Sequence, residues 1–405
     1  MIHVCYTLRD ESGHYSKFAG ASILSMLENT SEKITIHLLH DSTLSRENRK
    51  KLTQIVYKYD QDIIFYNVDE LIPNRIDELK NRLPSLKHFY ATIAAMYRLM
   101  LPEILPPDIT KVIYLDADTI VNLDIKDLWQ IDLGNHPVAA VTEFSCGLSV
   151  ENVKKVFPLV YQGIIEPENY FNSGMLVIDL EHMYTDGRLN VFEQCLKIFE
   201  TEQTRYLDQD ILNILFMNNF SKLPAKYNRL VFDVKNYASN FETDLHEIFH
   251  YNGLDIRPTL EYDLDRLWFE YFLQTPFCTP ETFKNLCAGV EAGVNTKTVF
   301  WQKIFRASTQ KRIGLCVYPE NVHALANFFS INEPILNARS FDIISALAAY
   351  IRENFAFIIA LYPDDFETIR DQLTAEGFVE DRDFFNGNMF FFDDGLIYGK
   401  IIRQM

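Results

Sequence analysis

Residues 112–120 read Val112-Ile113-Tyr114-Leu115-Asp116-Ala117-Asp118-Thr119-Ile120, an apolar run that ends in two carboxylates separated by one residue. The run predicts a buried strand, and strand alternation would put Asp116 and Asp118 on the same side. Two carboxylates that converge at a strand end repel each other unless a cation lies between them. The pair therefore predicts a site for a divalent cation with oxygen ligands, and aspartates that merely cap a loop are the alternative.

A histidine far downstream fits the same site. His250 ends an apolar run in the stretch Ile248-Phe249-His250-Tyr251-Asn252-Gly253. Taken alone, such a residue is typical of a hydrogen-bonded core histidine. Together with Asp116 and Asp118 it would complete a mixed oxygen and nitrogen ligand set, which favours manganese-like ions over magnesium because imidazole is the softer ligand.

The N-terminal half of the chain alternates strand and helix patterns. Strand-length apolar runs occur at 3–8, 34–40, 62–67 and 111–115, with helical periodicity between them. This alternation predicts an α/β fold with a mostly parallel sheet, whose ligand residues lie at the carboxyl ends of the strands. The turn at 8–14 lacks the Gly-x-Gly-x-x-Gly pattern, so a dinucleotide-binding fold is disfavoured.

Composition excludes several classes of protein. The chain has 405 residues, of which 48% are apolar and 14% aromatic, so it is not a disordered chain. Its formal net charge of -18 opposes nucleic-acid binding, which needs a basic face. The six cysteines are scattered without metal or disulfide spacing, which is typical of reduced thiols in the cytoplasm. We expect neither a signal peptide nor a transmembrane segment.

The length and the proline pattern predict two domains. We expect a catalytic domain at 1–275, a linker at 276–310 around Pro276 and Pro280, and a smaller C-terminal α/β domain at 311–405. Within that domain an internal repeat, at 315–321 and 359–365, predicts strand, turn and helix twice. It lacks phosphate-binding glycines, so a homodimer contact or acceptor docking is favoured over a nucleotide site. The aromatic run 384–392 predicts a buried hairpin, with an exposed interface patch as the alternative.

Five motifs follow one another in the first two thirds of the chain: Tyr97-Arg98-Leu99, Leu115-Asp116-Ala117-Asp118, Phe171-Asn172-Ser173-Gly174, Leu207-Asp208-Gln209-Asp210-Ile211-Leu212-Asn213 and His250-Tyr251-Asn252-Gly253. In that order they resemble glycosyltransferase family 8, whose members have the GT-A fold, a Rossmann-like mixed sheet flanked by helices, and retain the configuration of the transferred sugar. The family includes bacterial lipooligosaccharide galactosyltransferases and adhesin-glycan glycosyltransferases.

The resemblance implies roles for individual residues. Asp116, Asp118 and His250 would bind a manganese ion that also holds the diphosphate of a uridine-diphosphate (UDP) sugar. Catalysis would fall to Gln209 and Asp208, near the donor hexose. The remaining nucleotide-sugar contacts would be Thr7 at the uracil, Arg98 and Asn172 at the hexose, Ala117 between the aspartates, Gly253 at the diphosphate, and Arg257 in place of the family's lysine.

The expected function is metal-dependent transfer of a hexose from the UDP-sugar to a hydroxyl of a glycan, either lipid-linked or protein-linked. The family resemblance favours galactose as the sugar, with glucose second. A phosphatase of the haloacid dehalogenase type also uses an aspartate pair after a strand, but its next motif position is a threonine where this chain has Ile120. A non-catalytic sugar-binding partner protein is the other alternative.

Overall fold

The structure of the chain is a computed structural model. It describes residues 1–82, 93–146, 150, 153–154, 157–185, 197, 206–231, 246–251, 263–319, 331, 334–361 and 363–387. Of the residues expected in the site, Gly253 and Arg257 lie outside the described residues.

The described residues form β-strands, α-helices and short 3₁₀ helices. The strands are β1 (Ile2–Leu8), β2 (Ile34–His40), β3 (Asp62–Asn67), β4 (Lys111–Leu115), β5 (Thr119–Val121), β6 (Val138–Thr142), β7 (Phe171–Asp179), β8 (Ser221–Lys222), β9 (Arg229–Leu230), β10 (Ile248–His250), β11 (Arg312–Val317), β12 (Ile335–Asn337), β13 (Phe355–Ala360) and β14 (Phe384–Asn386). The α-helices are α1 (Ser16–Asn29), α2 (Arg46–Lys58), α3 (Val68–Leu71), α4 (Pro73–Arg82), α5 (Leu101–Ile104), α6 (Lys126–Trp129), α7 (Glu143–Cys146), α8 (Pro158–Tyr161), α9 (Leu180–Thr185), α10 (Leu207–Leu215), α11 (Asp263–Leu273), α12 (Pro280–Ser308), α13 (Ile343–Arg352) and α14 (Pro363–Ala375). Short 3₁₀ helices lie at Ile93–Met100, Pro167–Asn169 and Ala225–Tyr227.

Within the described residues, the main sheet has seven strands in the order β3-β2-β1-β4-β7-β6-β8. β1 pairs in parallel with β2 and β4, whereas β7 runs antiparallel to both β4 and β6. β6 therefore points the same way as β4. The carboxyl ends of β1, β4 and β6 and the start of β7 consequently share one edge of the sheet, where ligands of α/β folds bind.

The predicted strands and helices of the N-terminal half are confirmed. β1 and β2 are almost wholly buried, as expected for strands covered on both faces. The hydroxyl of Ser45 caps α2 by accepting a hydrogen bond from the backbone N–H of Asn48, which is why the helix begins after it. The α/β prediction is correct: six strands of the main sheet point the same way, and β7 alone runs against them, which makes the mostly parallel sheet a mixed one.

A second, small sheet places His250. β10 lies between β5 and β9, pairs antiparallel with β5, and puts His250 opposite Thr119. Since Thr119 directly follows Asp118, this pairing brings the distant histidine to the aspartates. The prediction placed Asp116 and Asp118 on one side of a continuous strand. In the structure, a turn joins β4 to β5, and the two aspartates lie in that turn. Their convergence comes from that turn and from β10.

The chain divides into two compact units, residues 1–255 with 260–282, and residues 256–259 with 283–405. The division falls inside α12, so most of the stretch expected as a linker is helical. The reason is visible in the sequence: Pro280 suits the first helical turn, and Phe300 and Ile304 recur on one apolar face.

The second unit contains a parallel four-stranded sheet in the order β12-β11-β13-β14. β11 and β13, the two strands of the internal repeat, are neighbours in it, and α14 follows β13 as predicted. β14 pairs in parallel with β13, and Phe384 and Phe385 are buried as expected, while the hairpin at 384–392 stays a prediction. Residues 388–392 lie outside the described residues.

None of the described helices combines the length and apolarity that a bilayer span requires.

Candidate active site

Asp116, Asp118 and His250 form a cluster that could hold a metal ion. One ligand-type atom from each lies within 4.8 Å of the others. His250 Nε2 lies 3.4 Å from Asp118 Oδ1 and 3.8 Å from Asp116 Oδ2. Burial alone would lower the pKa of His250, but the charges of Asp118 and Asp116 outweigh it and raise the pKa above the ordinary value. The negative potential that produces this shift also attracts a divalent cation.

The other nitrogen of His250 is held by a buried asparagine. His250 Nδ1 lies 3.0 Å from Asn228 Oδ1, so an Nδ1–H donor there leaves Nε2 as the free lone pair facing the carboxylates. Asn228 Nδ2 in turn donates to Asn172 Oδ1 over 2.8 Å. Metal-binding histidines are commonly oriented by such a contact, which sets their tautomer.

Gly174 leaves the space in which these side chains meet. A Cβ at this position would lie 2.2 Å from His250 Cε1 and 2.9 Å from Asp116 Oδ2. Any side chain would therefore push apart the histidine and the first aspartate. The cluster, its oriented imidazole and this clearance together fit a bound divalent cation.

Arg98 links the aspartate pair to α10. It donates to Asp116 Oδ1 over 2.7 Å and to the carbonyl of Ser173 over 2.6 Å, and its Nε lies 3.2 Å from Asp208 Oδ2. Burial alone would lower the pKa of Arg98, but Asp116 and Asp208 raise it, so the guanidinium stays charged. Because Asp116 Oδ1 accepts from both Arg98 and Tyr114, Oδ2 is the oxygen that faces His250.

α10 presents Asp208 and Gln209 to the start of β7. Asn213 anchors the helix, since it accepts from the backbone N–H of Phe171 and donates to the carbonyl of the same residue. Gln209 Oε1 accepts from the N–H of Ser173 over 3.0 Å, and Asp208 Oδ2 accepts from the Ser173 hydroxyl over 3.1 Å. Burial raises the pKa of Asp208 against the opposing charge of Arg98.

Glu143, directly after β6, joins the two amides expected at the donor sugar. Its Oε1 accepts from Asn172 Nδ2 over 2.8 Å and from Gln209 Nε2 over 2.9 Å. Glu143 is only 2% exposed, so this carboxylate orients both amides inside the protein. Asn172 and Gln209 thus hold one fixed orientation each.

Thr7, the β1 residue expected at the uracil, belongs to the same hydrogen-bond network. Thr7 Oγ1 lies 2.9 Å from the hydroxyl of Tyr114, which donates to Asp116. Ala117 is buried between the two aspartates. Tyr15, at the start of α1, also lies close to the site: burial first, and then the charges of Asp118 and Asp116, hold its pKa well above the ordinary value.

All predicted site residues within the described ranges come together here. Sequence reasoning missed Glu143, Asn228, Tyr114 and Tyr15. Glu143 had a readable signal, because it is an acidic residue directly after an apolar strand. Asn228 had none, since nothing in its neighbours marks it as a partner of His250.

Comparison with known proteins agrees with this geometry. The family model of glycosyl transferase family 8 matches residues 6–258. The chain is 27% identical over 250 residues to a lipopolysaccharide 1,2-glucosyltransferase of Escherichia coli, covering 60% of this chain and 69% of that protein. It is 27% identical over 240 residues to a lipopolysaccharide 1,3-galactosyltransferase of Salmonella typhimurium, covering 58% and 67%. For a Haemophilus influenzae relative at 29% identity, the match spans only 59% of that protein's length.

The fold has a solved counterpart. The structure of the galactosyltransferase LgtC in complex with donor and acceptor sugar analogues aligns with a TM-score of 0.53 at 20% identity, covering 70% of this chain and all of that one. This likeness shows the fold alone, which is the predicted GT-A fold. Because the family model covers more than half of the sequence, the chain belongs to glycosyltransferase family 8.

Proposed function

We propose that the protein is a retaining hexosyltransferase, which moves a hexose from a UDP-sugar to a hydroxyl of a glycan acceptor with the help of manganese. The observation that carries the proposal is the convergence of Asp116, Asp118 and His250 with Asp208 and Gln209 at one sheet edge. Family membership makes the chain a glycosyltransferase. The identities of the donor, the acceptor and the metal are our proposal beyond family membership.

Asp116, Asp118 and His250 would hold the metal ion. When bound, a divalent ion supplies Lewis-acid stabilisation of the negative charge that grows on the departing diphosphate. Two carboxylates and an imidazole make a mixed oxygen and nitrogen ligand set, which supports manganese over magnesium. Arg98 and Tyr114 hold Asp116 in place, and Asn228 holds His250. These ligands are therefore oriented before the donor binds.

Gln209 and Asp208 would act on the sugar ring. As the bond to the diphosphate breaks, positive charge develops on the ring, and a carboxylate with an amide oxygen nearby can stabilise it. Gln209 is neutral, and Glu143 and the Ser173 N–H already bond its amide, so it is a poor nucleophile. We therefore favour attack by the acceptor hydroxyl on the same face that the diphosphate leaves, over a covalent sugar intermediate.

The family resemblance also assigns the remaining contacts to the donor. Thr7 would lie at the uracil, Ala117 beside the diphosphate, and Asn172 at the hexose, with Gly253 and Arg257 completing the diphosphate contacts. One relative is named as a glucosyltransferase and another as a galactosyltransferase, which supports a UDP-hexose donor of either kind. We place galactose first and glucose second.

The proposed setting is the cytoplasm, where UDP-sugars are made. Cys5, Cys278, Cys287 and Cys316 are free thiols, in keeping with a reducing compartment. The acceptor would be a lipid-linked or protein-linked glycan.

The test is release of UDP from UDP-galactose and UDP-glucose by the full-length protein, with and without manganese. We expect manganese-dependent release that falls by about a hundredfold or more in Asp118→Ala. The matched control is Asp132→Ala, which removes an exposed aspartate from the connection before β6. Manganese-independent release at the same rate would remove the metal from the proposal. No release from either sugar would favour a non-catalytic sugar-binding protein.

A second variant tests the sugar-ring residues. Gln209→Ala should lower kcat by about a hundredfold, because it removes a preoriented dipole from the site of developing charge. The control is Asn169→Ala, which removes a half-buried amide before β7 that contacts Asn218 and none of the described candidate site residues. Unchanged kcat in Gln209→Ala would show that this side chain is not essential to the reaction.

A further inference from the structure

A buried chain of hydrogen bonds joins the two halves of the candidate active site. Each of its members is less than a tenth exposed, and they are, in order, Gln209, Glu143, Asn172, Asn228 and His250. Gln209 lies in α10 and Glu143 directly follows β6, whereas Asn172 lies in β7, Asn228 precedes β9 and His250 ends β10. The chain therefore runs from the residue proposed at the sugar ring to the histidine proposed at the metal.

Glu143 sets the direction of the hydrogen bonds at its own position. Its Oε1 accepts from Gln209 Nε2 over 2.9 Å and from Asn172 Nδ2 over 2.8 Å. Because a carboxylate has no hydrogen to donate, both amides turn their NH₂ groups towards it. Their carbonyl oxygens then point away, and each accepts from a backbone N–H, that of Ser173 over 3.0 Å and that of Gly174 over 2.8 Å. Backbone N–H groups only donate, so both ends of each amide agree on one orientation.

The same direction passes along the chain to the metal end. Asn172 Oδ1 accepts from Asn228 Nδ2 over 2.8 Å, so Asn228 Oδ1 turns the other way and lies 3.0 Å from His250 Nδ1. A carbonyl oxygen only accepts, so the hydrogen of the neutral imidazole belongs on Nδ1. The lone pair of Nε2 then faces Asp116 and Asp118. This tautomer is the one that a metal ion at Nε2 requires.

We infer that Glu143 is a positioning residue for both halves of the candidate active site. It holds the amide of Gln209 directly. Through Asn172 and Asn228 it sets the tautomer of His250. The inference rests on the proposed function, because it takes Gln209 to act on the sugar and His250 to bind the metal. A carboxylate suits this role better than a neutral acceptor, since hydrogen bonds to a charged group are stronger and a buried charge polarises the bonds that follow.

Variants at the two ends of the chain separate the two roles. Asn228→Ala should lower manganese affinity and leave kcat at saturating manganese near the wild-type value, whereas Gln209→Ala should lower kcat and leave manganese affinity unchanged. A Glu143 variant without an acceptor should lower both, manganese affinity by about 10–100-fold and kcat by about tenfold or more. A residue that only stabilised the fold would change neither quantity in the folded protein.

Two substitutions of Glu143 make the test. Glu143→Met fills a similar volume without an acceptor, and Glu143→Gln keeps an amide oxygen that can accept from both neighbours. Calorimetric titration with manganese and turnover of the UDP-hexose at saturating manganese measure the two quantities. We expect Glu143→Met to lower both and Glu143→Gln to recover most of each loss. A folded Glu143→Met protein with wild-type manganese affinity or wild-type kcat would overturn the inference, as would a Glu143→Gln protein that recovers neither.

The matched control is Asp383→Asn, which neutralises a buried carboxylate paired with Lys311 in the second unit. This variant should lower the free energy of unfolding and leave manganese affinity and kcat unchanged. Equal losses of manganese affinity in Asp383→Asn and Glu143→Met would mean that reduced stability alone explains them, which would overturn the inference.

Nitrogen-15 NMR of the metal-free wild type tests the direction of the chain without any change at Glu143. At alkaline pH, where the imidazole is neutral, His250 should carry its hydrogen on Nδ1, and the absence of its signal from His250→Ala assigns it. A hydrogen on Nε2 would overturn the inference, whether or not Glu143→Met folds. This result is independent of the proposed function, whose failure would show instead as no manganese binding by the wild type.

Discussion

At the scale of single residues, the candidate metal site depends on groups that do not touch the metal position. Asn228 fixes the histidine tautomer, Gly174 keeps space free, and Arg98 with Tyr114 occupies one oxygen of Asp116. These contacts leave His250 Nε2 and Asp116 Oδ2 directed at the position of the metal. Substitutions at these residues should therefore change metal affinity without removing any ligand.

Gly174→Ala should lower manganese affinity by at least tenfold, because its Cβ would displace His250 and Asp116. The matched control is Gly20→Ala, whose Cβ would meet Phe277 at 2.7 Å in the packing of α1. Gly20→Ala should cost about 1–3 kcal/mol of stability by overpacking and leave manganese affinity unchanged. Metal titration of both proteins checks this, and equal affinities would contradict the steric argument.

Asn228→Ala should weaken manganese binding by about 10–100-fold, since it removes the contact that orients the imidazole. Asn228→Asp keeps an acceptor for Nδ1–H and should recover part of the loss. Calorimetric titration with manganese measures both. Binding that is the same in Asn228→Ala as in the wild type would mean that His250 needs no orientation.

At the scale of elements, the sequence predicted those whose periodicity reflects burial. The predicted strands at 34–40, 62–67 and 111–115 have the observed bounds, and the strand at 3–8 starts one residue late. The pairing of β10 with β5 could not be predicted, because it joins short strands about 130 residues apart by backbone hydrogen bonds that any sequence can make. His250 was nevertheless predicted, because it ends an apolar run and also lies in one of the family motifs.

α12 shows what a proline pattern leaves open. The prolines at 276 and 280 predicted a linker at 276–310 but not its secondary structure, and Pro280 stands at the first position of a helix. Proline there costs no hydrogen bond, so the same residue can end one element or begin the next. The aromatic run at 384–392 indicated burial but not the strand with which its first residues pair. β14 joins β13 in parallel.

Across β1, β2 and β3 a buried hydrogen-bonded chain predicts a pH dependence of stability. His37 lies between His3 and the hydroxyl of Tyr66, at 3.0 Å from each. Burial first, and then the nearby His3, lower the pKa of His37 to about 4. The unfolded chain therefore binds the proton more readily than the folded one between pH 6.5 and 4. The neutral His37 therefore contributes fully to the stability of the fold above pH 6.5, and this contribution is lost as the pH falls towards 4.

Between pH 7 and pH 5 this histidine should account for a loss of about 2 kcal/mol in the free energy of unfolding. His37→Gln should lose that part of the pH dependence, and the control His136→Gln, at a half-buried histidine bonded to Asn219, should keep it. Urea unfolding at the two pH values gives the difference. An identical pH dependence in wild type and His37→Gln would contradict the assignment.

At the scale of the whole molecule, the candidate active site belongs to one of the two compact units. Every candidate site residue within the described ranges lies in the unit formed by residues 1–255 and 260–282. UDP with manganese should therefore slow hydrogen exchange in β4, β7 and α10, by up to about a hundredfold at a ligand concentration near 100 times the dissociation constant. β11 and β13 should exchange as before, and equal protection there would contradict this assignment.

We propose that Asp116, Asp118 and His250 hold the divalent ion through which the donor's diphosphate binds. Binding of UDP to the full-length protein by calorimetry, with and without manganese, tests it most directly, beside His250→Ala. We predict that manganese strengthens UDP binding by tenfold or more in the wild type and has little effect in His250→Ala. UDP binding that is equally tight without manganese, or equally manganese-dependent in His250→Ala, would contradict the claim.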